Sequence, residues 1–144
     1  MKIIIEKPQD DEEEQIVVKC HNISSELLNV LNTLKAQGNL LIANIGNEIH
    51  RVNPSDIFYI ESVDNKTFLY CESDVYESKQ KLYELEELKL SDFLRISKSV
   101  IVNLSKIKSI APALSGRLEA VLLNKERVII SRQYVGMLKK NLGI

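Results

Sequence analysis

The side chains best suited to metal binding or acid–base chemistry are two histidines, His21 and His50, two cysteines, Cys20 and Cys71, and the carboxylates Glu61 and Asp64. Four ligands could in arithmetic make a zinc site. Cys20 and His21 are chain neighbours, however, and on a strand neighbours point to opposite faces, so they could hardly share one ion. No metal site is expected. Glu61 and Asp64 fall at a strand end, where such pairs commonly occur without a catalytic role. The sequence has no nucleophile elbow, P-loop or dinucleotide fingerprint, and its five glycines are scattered singly. Neither catalysis, a cofactor nor a small-molecule substrate is therefore expected.

What remains is charge, and it is unevenly placed. The 144 residues carry a formal net charge of −1. Residues 1–91 hold 9 Lys+Arg against 17 Asp+Glu, net −8, whereas residues 92–144 hold 10 against 3, net +7. A basic half beside an acidic half is one electrostatic footprint of a polyanion binder, and it also arises in domains whose charges intermix in space. With 44% hydrophobic and 27% charged residues, the chain fits one domain with its own core and excludes disorder or a collagen-like repeat. The N-terminal apolar run is three residues long, too short for a signal peptide, and no stretch approaches the roughly 20 residues that span a bilayer. The two cysteines lack any paired spacing, as in free thiols of a reducing compartment. A soluble, cytoplasmic protein is expected.

The basic groups must be held by short β-prone runs. Strands are expected at Lys2–Glu6 and Gln15–Cys20, joined by the acidic run Asp10 to Glu14. A helix is expected from Ser25 to Ala36, ending near Gln37-Gly38, with Leu27, Leu31 and Leu34 on one face. That face could pack on the core, the default, or on a second copy. Strands follow at 40–44, 48–52, 56–63, 67–72 and 75–78, punctuated by Gly46-Asn47, Asn53-Pro54 and Asp64-Asn65. A helix from Lys81 to Leu90 carries Leu82, Leu85 and Leu88. Further strands at 93–96, 100–102, 106–110, 118–123 and 128–130 lead to an amphipathic helix over Gln133–Asn141. Asn124-Lys125 reads as a hairpin turn. Ile57, Tyr59, Phe93, Ile96, Val100, Val102, Ile107, Val121, Leu123 and Ile129 are the expected core, and Asn103 reads as a turn-holding residue.

Three blocks within this pattern resemble the LytTR family of bacterial DNA-binding domains. They are Ser55-Asp56-Ile57-Phe58-Tyr59-Ile60-Glu61-Ser62, then Phe93-Leu94-Arg95-Ile96-Ser97-Lys98-Ser99-Val100-Ile101-Val102-Asn103-Leu104, then Ile129-Ile130-Ser131-Arg132-Gln133-Tyr134. The resemblance covers about residues 48–143. It implies a mainly β (α+β) fold of elongated antiparallel sheets, with a short helix inside the domain, an N-terminal helix and a C-terminal helix. Residues 1–47 would then be an extension and 48–144 the DNA-binding domain. It also implies binding through loops set into successive major grooves, unlike helix-turn-helix docking. The family's base-reading positions fall on Asn65 or Lys66, on Lys98 and on Arg132.

The chemistry of those positions suits the role. Arg132 can offer a bidentate fork to guanine O6 and N7, and Lys98 can donate to the same edge or to a phosphate. Arg95, Ser97, Ser99, Lys106, Ser131 and Gln133 are candidates for phosphate contacts, which fix position without reading sequence. Arg95 could instead pair with a carboxylate. The resemblance further implies double-stranded DNA with repeated sites as the partner, a homodimer on that DNA, and a free-standing regulator without a receiver domain, which a membrane protein can restrain. The competing reading is a protein-interaction module that keeps the fold without reading DNA.

Overall fold

Turn residues set the hairpins from which the fold is built. The structure, a computed structural model, describes residues 2–37 and 40–144. Strand β1 (Leu41–Ile45) turns at Gly46-Asn47 into β2 (Glu48–Val52), with Ile45 opposite Glu48. Strand β3 (Ile57–Val63) turns at Asp64-Asn65 into β4 (Lys66–Cys71). Both of these turn residues have positive φ, 50° and 65°. Two left-handed residues between paired strands match the twist of an antiparallel ribbon, and Asp and Asn accept that conformation more readily than most side chains do.

After β5 (Val75–Ser78) comes a short helix, α2 (Leu82–Glu87), then β6 (Phe93–Arg95) and β7 (Val100–Asn103). These seven strands form one antiparallel sheet in the order β2-β1-β5-β4-β3-β7-β6. Strands β8 (Ile107–Pro112), β9 (Leu118–Leu122) and β10 (Arg127–Ile130) form a second sheet with β9 in the middle, and helix α3 (Arg132–Leu142) closes the chain. The β9–β10 hairpin turns at Asn124-Lys125, where Lys125 has φ 72° and Asn124 Oδ1 accepts from Glu126 N–H at 3.1 Å.

The described residues form two cores. In the first, Leu82 and Leu85 of α2 pack with Leu41, Ile57, Ile60 and Leu69 of the large sheet. In the second, Leu138 of α3 packs with Ile96, Val102, Leu122 and Ile130, drawing on both sheets. The expected α2 is too long: it stops at Glu87, Lys89 takes φ 48°, and Leu88 is exposed while Leu90 is buried. Two expected core residues, Leu123 and Ile129, are also exposed. Their neighbours Leu122, Val128 and Ile130 are buried instead. With a strand period of two, an error of one residue exchanges the faces.

Asn103 is 1% exposed and does hold a turn. Its Nδ2 donates to Ile57 O at 2.8 Å, and its Oδ1 accepts from Ser105 N–H at 3.1 Å and Ser105 Oγ at 2.7 Å. Asn53 makes the same local turn with Ser55, at 3.0 and 2.9 Å. Each turn is a single 3-10 helical turn leading straight into a strand, β3 or β8.

The extension differs from expectation. Residues 2–24 form neither of the two expected strands, and Ile3, Ile4, Ile5, Ile16, Val17 and Val18 are exposed. β-prone side chains need a partner strand, and an isolated hairpin is at best marginal in water. Helix α1 (Ser25–Gln37) forms, with Ser24 Oγ accepting from Leu27 N–H at 3.1 Å as its N-cap. Its apolar face does not enter either core: Leu27 and Leu31 are half-buried, and Leu28, Val30 and Leu34 are exposed. Gly38, at the expected helix end, lies outside the described residues. The expected boundary after residue 47 falls inside the β1–β2 hairpin, so the large sheet begins at Leu41.

Candidate nucleic-acid interface

Strands β3 and β7 run side by side in opposite directions, with Glu61 opposite Val100. Ser62 N–H donates to Ser99 O at 2.8 Å. The loop over residues 96–99 therefore lies beside the end of β3, next to the Asp64-Asn65 turn. The second core reaches the same end, because Ser131 N–H donates to Ile96 O at 2.8 Å and so fixes the entrance of α3 to that loop.

The loop itself is tightly held. Ser97 Oγ accepts from Ser99 N–H at 3.2 Å. Arg95 donates through Nε to Ser97 O at 2.7 Å, through one terminal nitrogen to Lys98 O, and through the other to Glu86 Oε2 of α2 at 2.6 Å. Its guanidinium is thus engaged within the protein, spanning α2 and two carbonyls of the loop. Of the two readings left open for Arg95, the geometry shows the carboxylate pair.

Ser97, Lys98, Ser99, Ser131, Arg132 and Gln133 line a shallow cleft of about 380 Å³, and none of them is acidic. Lys98, Arg132 and Gln133 are exposed, and neither Lys98 nor Arg132 has a side-chain hydrogen bond or ion pair among the described residues. The Ser131 side chain makes no capping bond; Tyr134 N–H donates to Ser131 O at 2.9 Å, and the N–H groups of Arg132 and Gln133 are left to an outside acceptor. Two free cationic side chains, several hydroxyls and the positive end of a helix dipole suit an anion such as a phosphate.

The other sequence-derived candidates sit apart from the cleft walls. Asn65 is at the tip of the β3–β4 turn, where its carbonyl and Oδ1 accept from Lys81 Nζ at 3.0 and 3.5 Å. Lys66, exposed, opens β4 opposite Val63. Both share the cleft's end of the sheet without lining it. Lys106 is at the far end of β3, with Nζ 5.0 Å from the Phe58 ring centre, in a separate depression bordered by Asp56, Glu72 and Asp74. Lys81 and Glu86 carry no sequence signal for their roles, since their partners lie 16 and 9 residues away.

Several other titratable groups have structural neighbours that account for them. Burial, followed by the Glu126 carboxylate, raises the Tyr59 phenol, and burial with Glu61 raises Tyr70. These two rings stack at 4.4 Å. The Glu61 carboxylate is thus a near neighbour of the Tyr70 phenol. Burial, then Asp56 and Asp74, pushes the Cys71 thiol up to about 11. His50 contacts Glu48 at 3.1 Å and the Tyr76 ring edge-on. No three His, Cys, Asp or Glu side chains converge as metal ligands among the described residues.

Residues 47–143 match the family model of the LytTr DNA-binding domain. The chain belongs to the LytTR family. A solved LytTr DNA-binding domain from Bacillus cereus is 31% identical, with a TM-score of 0.69, and the match covers 73% of this chain and 97% of that one. An uncharacterized HTH-type transcriptional regulator of Staphylococcus aureus is 30% identical over 123 residues, 85% of this chain and 82% of that protein. The sensory transduction protein LytT of Enterococcus faecalis is 30% identical over 97 residues, which are 67% of this chain and 40% of that protein. Over the matched residues the mainly β, antiparallel architecture with α2 and α3 is the LytTR fold. Although the Staphylococcus relative carries a helix-turn-helix name, strands separate α1, α2 and α3 here, so the described residues contain no such helix pair.

Proposed function

We propose that this protein regulates transcription by binding double-stranded DNA through the end of the molecule where the 96–99 loop meets α3. The observation that carries the reading is the Ser131–Ile96 hydrogen bond, which brings two unpaired cations, Lys98 and Arg132, to one cleft without an acidic wall. In this reading Arg132 and Lys98 address base edges from the cleft, while Asn65 or Lys66 reads from the neighbouring turn. Ser97, Ser99, Ser131 and Gln133 supply phosphate contacts, and Arg95 holds the loop in place. Lys106 is far enough away to serve only a different stretch of backbone.

Finer parts of the reading rest on the extension. The exposed Leu28, Val30 and Leu34 of α1 favour pairing of two copies on repeated sites, and a restraining membrane protein would engage the same region. No helix among the described residues is long and apolar enough to cross a membrane, which accords with a cytoplasmic DNA binder.

The test is a titration on duplex DNA from the protein's own upstream region, against scrambled competitor, at two salt concentrations. Specific binding should survive the competitor, and log K should fall by roughly 0.9 per phosphate contacted for each unit of log salt. Absence of a specific complex at either salt would sink the proposal.

A further inference from the structure

The β8–β9 hairpin of the second sheet ends in a turn over residues 113–117. It is closed by Ala113 N–H donating to Arg117 O at 2.9 Å and by Arg117 N–H donating to Leu114 O at 3.3 Å. Ser115 and Gly116 both take left-handed backbone, φ 62° and 76°. Gly116 also faces the entrance of α3. A Cβ at Gly116 would stand 3.0 Å from Arg132 Cδ and 3.3 Å from Arg132 Cγ.

Backbone conformation alone does not explain a glycine there. Asp64, Asn65, Lys89, Asp92, Ser115 and Lys125 all adopt positive φ with a side chain present. The other positive-φ glycines among the described residues, Gly46 and Gly143, would place a Cβ in open space. Gly116 differs from those two glycines in having the stem of Arg132 against it. The atoms it meets are the middle of that stem, so displacing them moves the guanidinium as a whole.

We propose that Gly116 is a positioning residue for Arg132, its bare Cα forming the shelf on which the arginine stem lies. The proposal rests on the reading of Arg132 as a base-reading residue. An arginine on an open first helical turn samples many rotamers, all but one of which must be given up on binding. A shelf that closes one side reduces that loss and aims the fork before DNA arrives. The second sheet thus supplies more than a scaffold, since its β8–β9 turn sets the direction of a side chain that belongs to α3.

The experiment compares wild type, Gly116→Ala, Arg132→Ala and the double variant on the upstream duplex located by footprinting, on the same duplex altered one base pair at a time, and on random DNA. Gly116→Ala should weaken specific binding about five- to tenfold and relax preference at the base pair that Arg132→Ala relaxes, leaving random-DNA binding within about twofold. In the Arg132→Ala background it should add no further loss, because the residue it acts through is gone. Gly116→Asn provides a second variant, adding the same Cβ to a residue that tolerates left-handed backbone. Ser115→Gly is the control within the same turn and should leave base preference unchanged. Equal losses with and without Arg132, or unaltered preference in both Gly116 variants, would overturn the proposal. If Arg132→Ala itself leaves specific binding intact, the base-reading assignment fails and the proposal falls with it. If Arg132→Ala relaxes preference and Gly116→Ala does not, the shelf alone is wrong.

Discussion

Truncating Arg95 separates its two candidate roles, clamp and phosphate contact, because the structure commits its guanidinium to three acceptors. Arg95→Ala removes the pair to Glu86 at 2.6 Å and the bonds to Ser97 O and Lys98 O. The Glu86 side chain is 51% exposed, so that pair is screened and contributes at most about 1 kcal/mol. The bonds to the loop carbonyls involve a charged donor that is 21% exposed, and losing them costs about another 1 to 2 kcal/mol. The expected destabilisation is about 1 to 3 kcal/mol, or a fall in Tm of roughly 2–12 °C for a chain of this size. Glu86→Gln breaks only the charge pair and should cost no more than about 1 kcal/mol. Calorimetric or circular-dichroism melts give the stabilities, and DNA titration across salt gives the second readout. A clamp predicts that Arg95→Ala lowers affinity while leaving the slope of log K on log salt unchanged. A phosphate contact predicts a slope shallower by about 0.9 with little change in Tm, and that result would refute the reasoning.

Other consequences are equally concrete. Arg132→Ala should weaken specific binding by about 1 to 3 kcal/mol and relax preference at one base pair, read by competition against single-base variants of the site; equal loss on random DNA would make it a phosphate contact. Asn103→Ala leaves Ile57 O and Ser105 without their buried partner and should cost about 2 to 4 kcal/mol in urea unfolding, far more than Asn53→Ala in the more exposed version of the turn. The Cys71 thiol, raised to about 11 in the folded protein from its usual 9, should stay unmodified by thiol reagents at pH 8 while exposed Cys20 reacts. Because burial favours the protonated thiol and the protonated Tyr59 phenol, their share of stability is complete below the unfolded pKa values. That share is lost as pH rises above about 9 to 10, so melts between pH 8 and 11 should fall on the alkaline side, less steeply in Tyr59→Phe.

Strand existence was largely legible because turn residues bracket β-prone runs, and the Asn-x-Ser turns ahead of β3 and β8 have side chains that bond locally. Three things were not legible. The exposure of Leu123 and Ile129 depends on which face of a short strand meets α3, and consecutive apolar residues such as Val128, Ile129 and Ile130 do not fix that parity. The missing strands in residues 2–24 and the unpacked face of α1 depend on a partner surface, which local sequence cannot supply. The contacts that shape the cleft join residues far apart in sequence: Ser131 with Ile96, Arg95 with Glu86, and Arg132 with Gly116. The residue types at the cleft could be named from the motif blocks. Their supports could not, because every residue offers a carbonyl acceptor and a glycine does not reveal which distant side chain lies against it.

Those supports also explain how the proposed reading surface can be held in a defined geometry without a helix-turn-helix pair among the described residues. Lys98 sits on a loop, the kind of element that ordinarily samples many conformations. Here the loop is bonded on one side to β3 through Ser62, on a second to α2 through Arg95, and on a third to the entrance of α3 through Ser131. Each bond belongs to an element anchored in a core, the first beneath α2 and the second beneath α3. The position of Lys98 relative to Arg132 is consequently set by the packing of both cores at once. A mutation deep in either one, such as Leu85→Ala or Leu138→Ala, should then weaken discrimination between specific and random DNA at temperatures where the domain remains folded, whereas phosphate attraction, which depends on charge more than on angle, should persist.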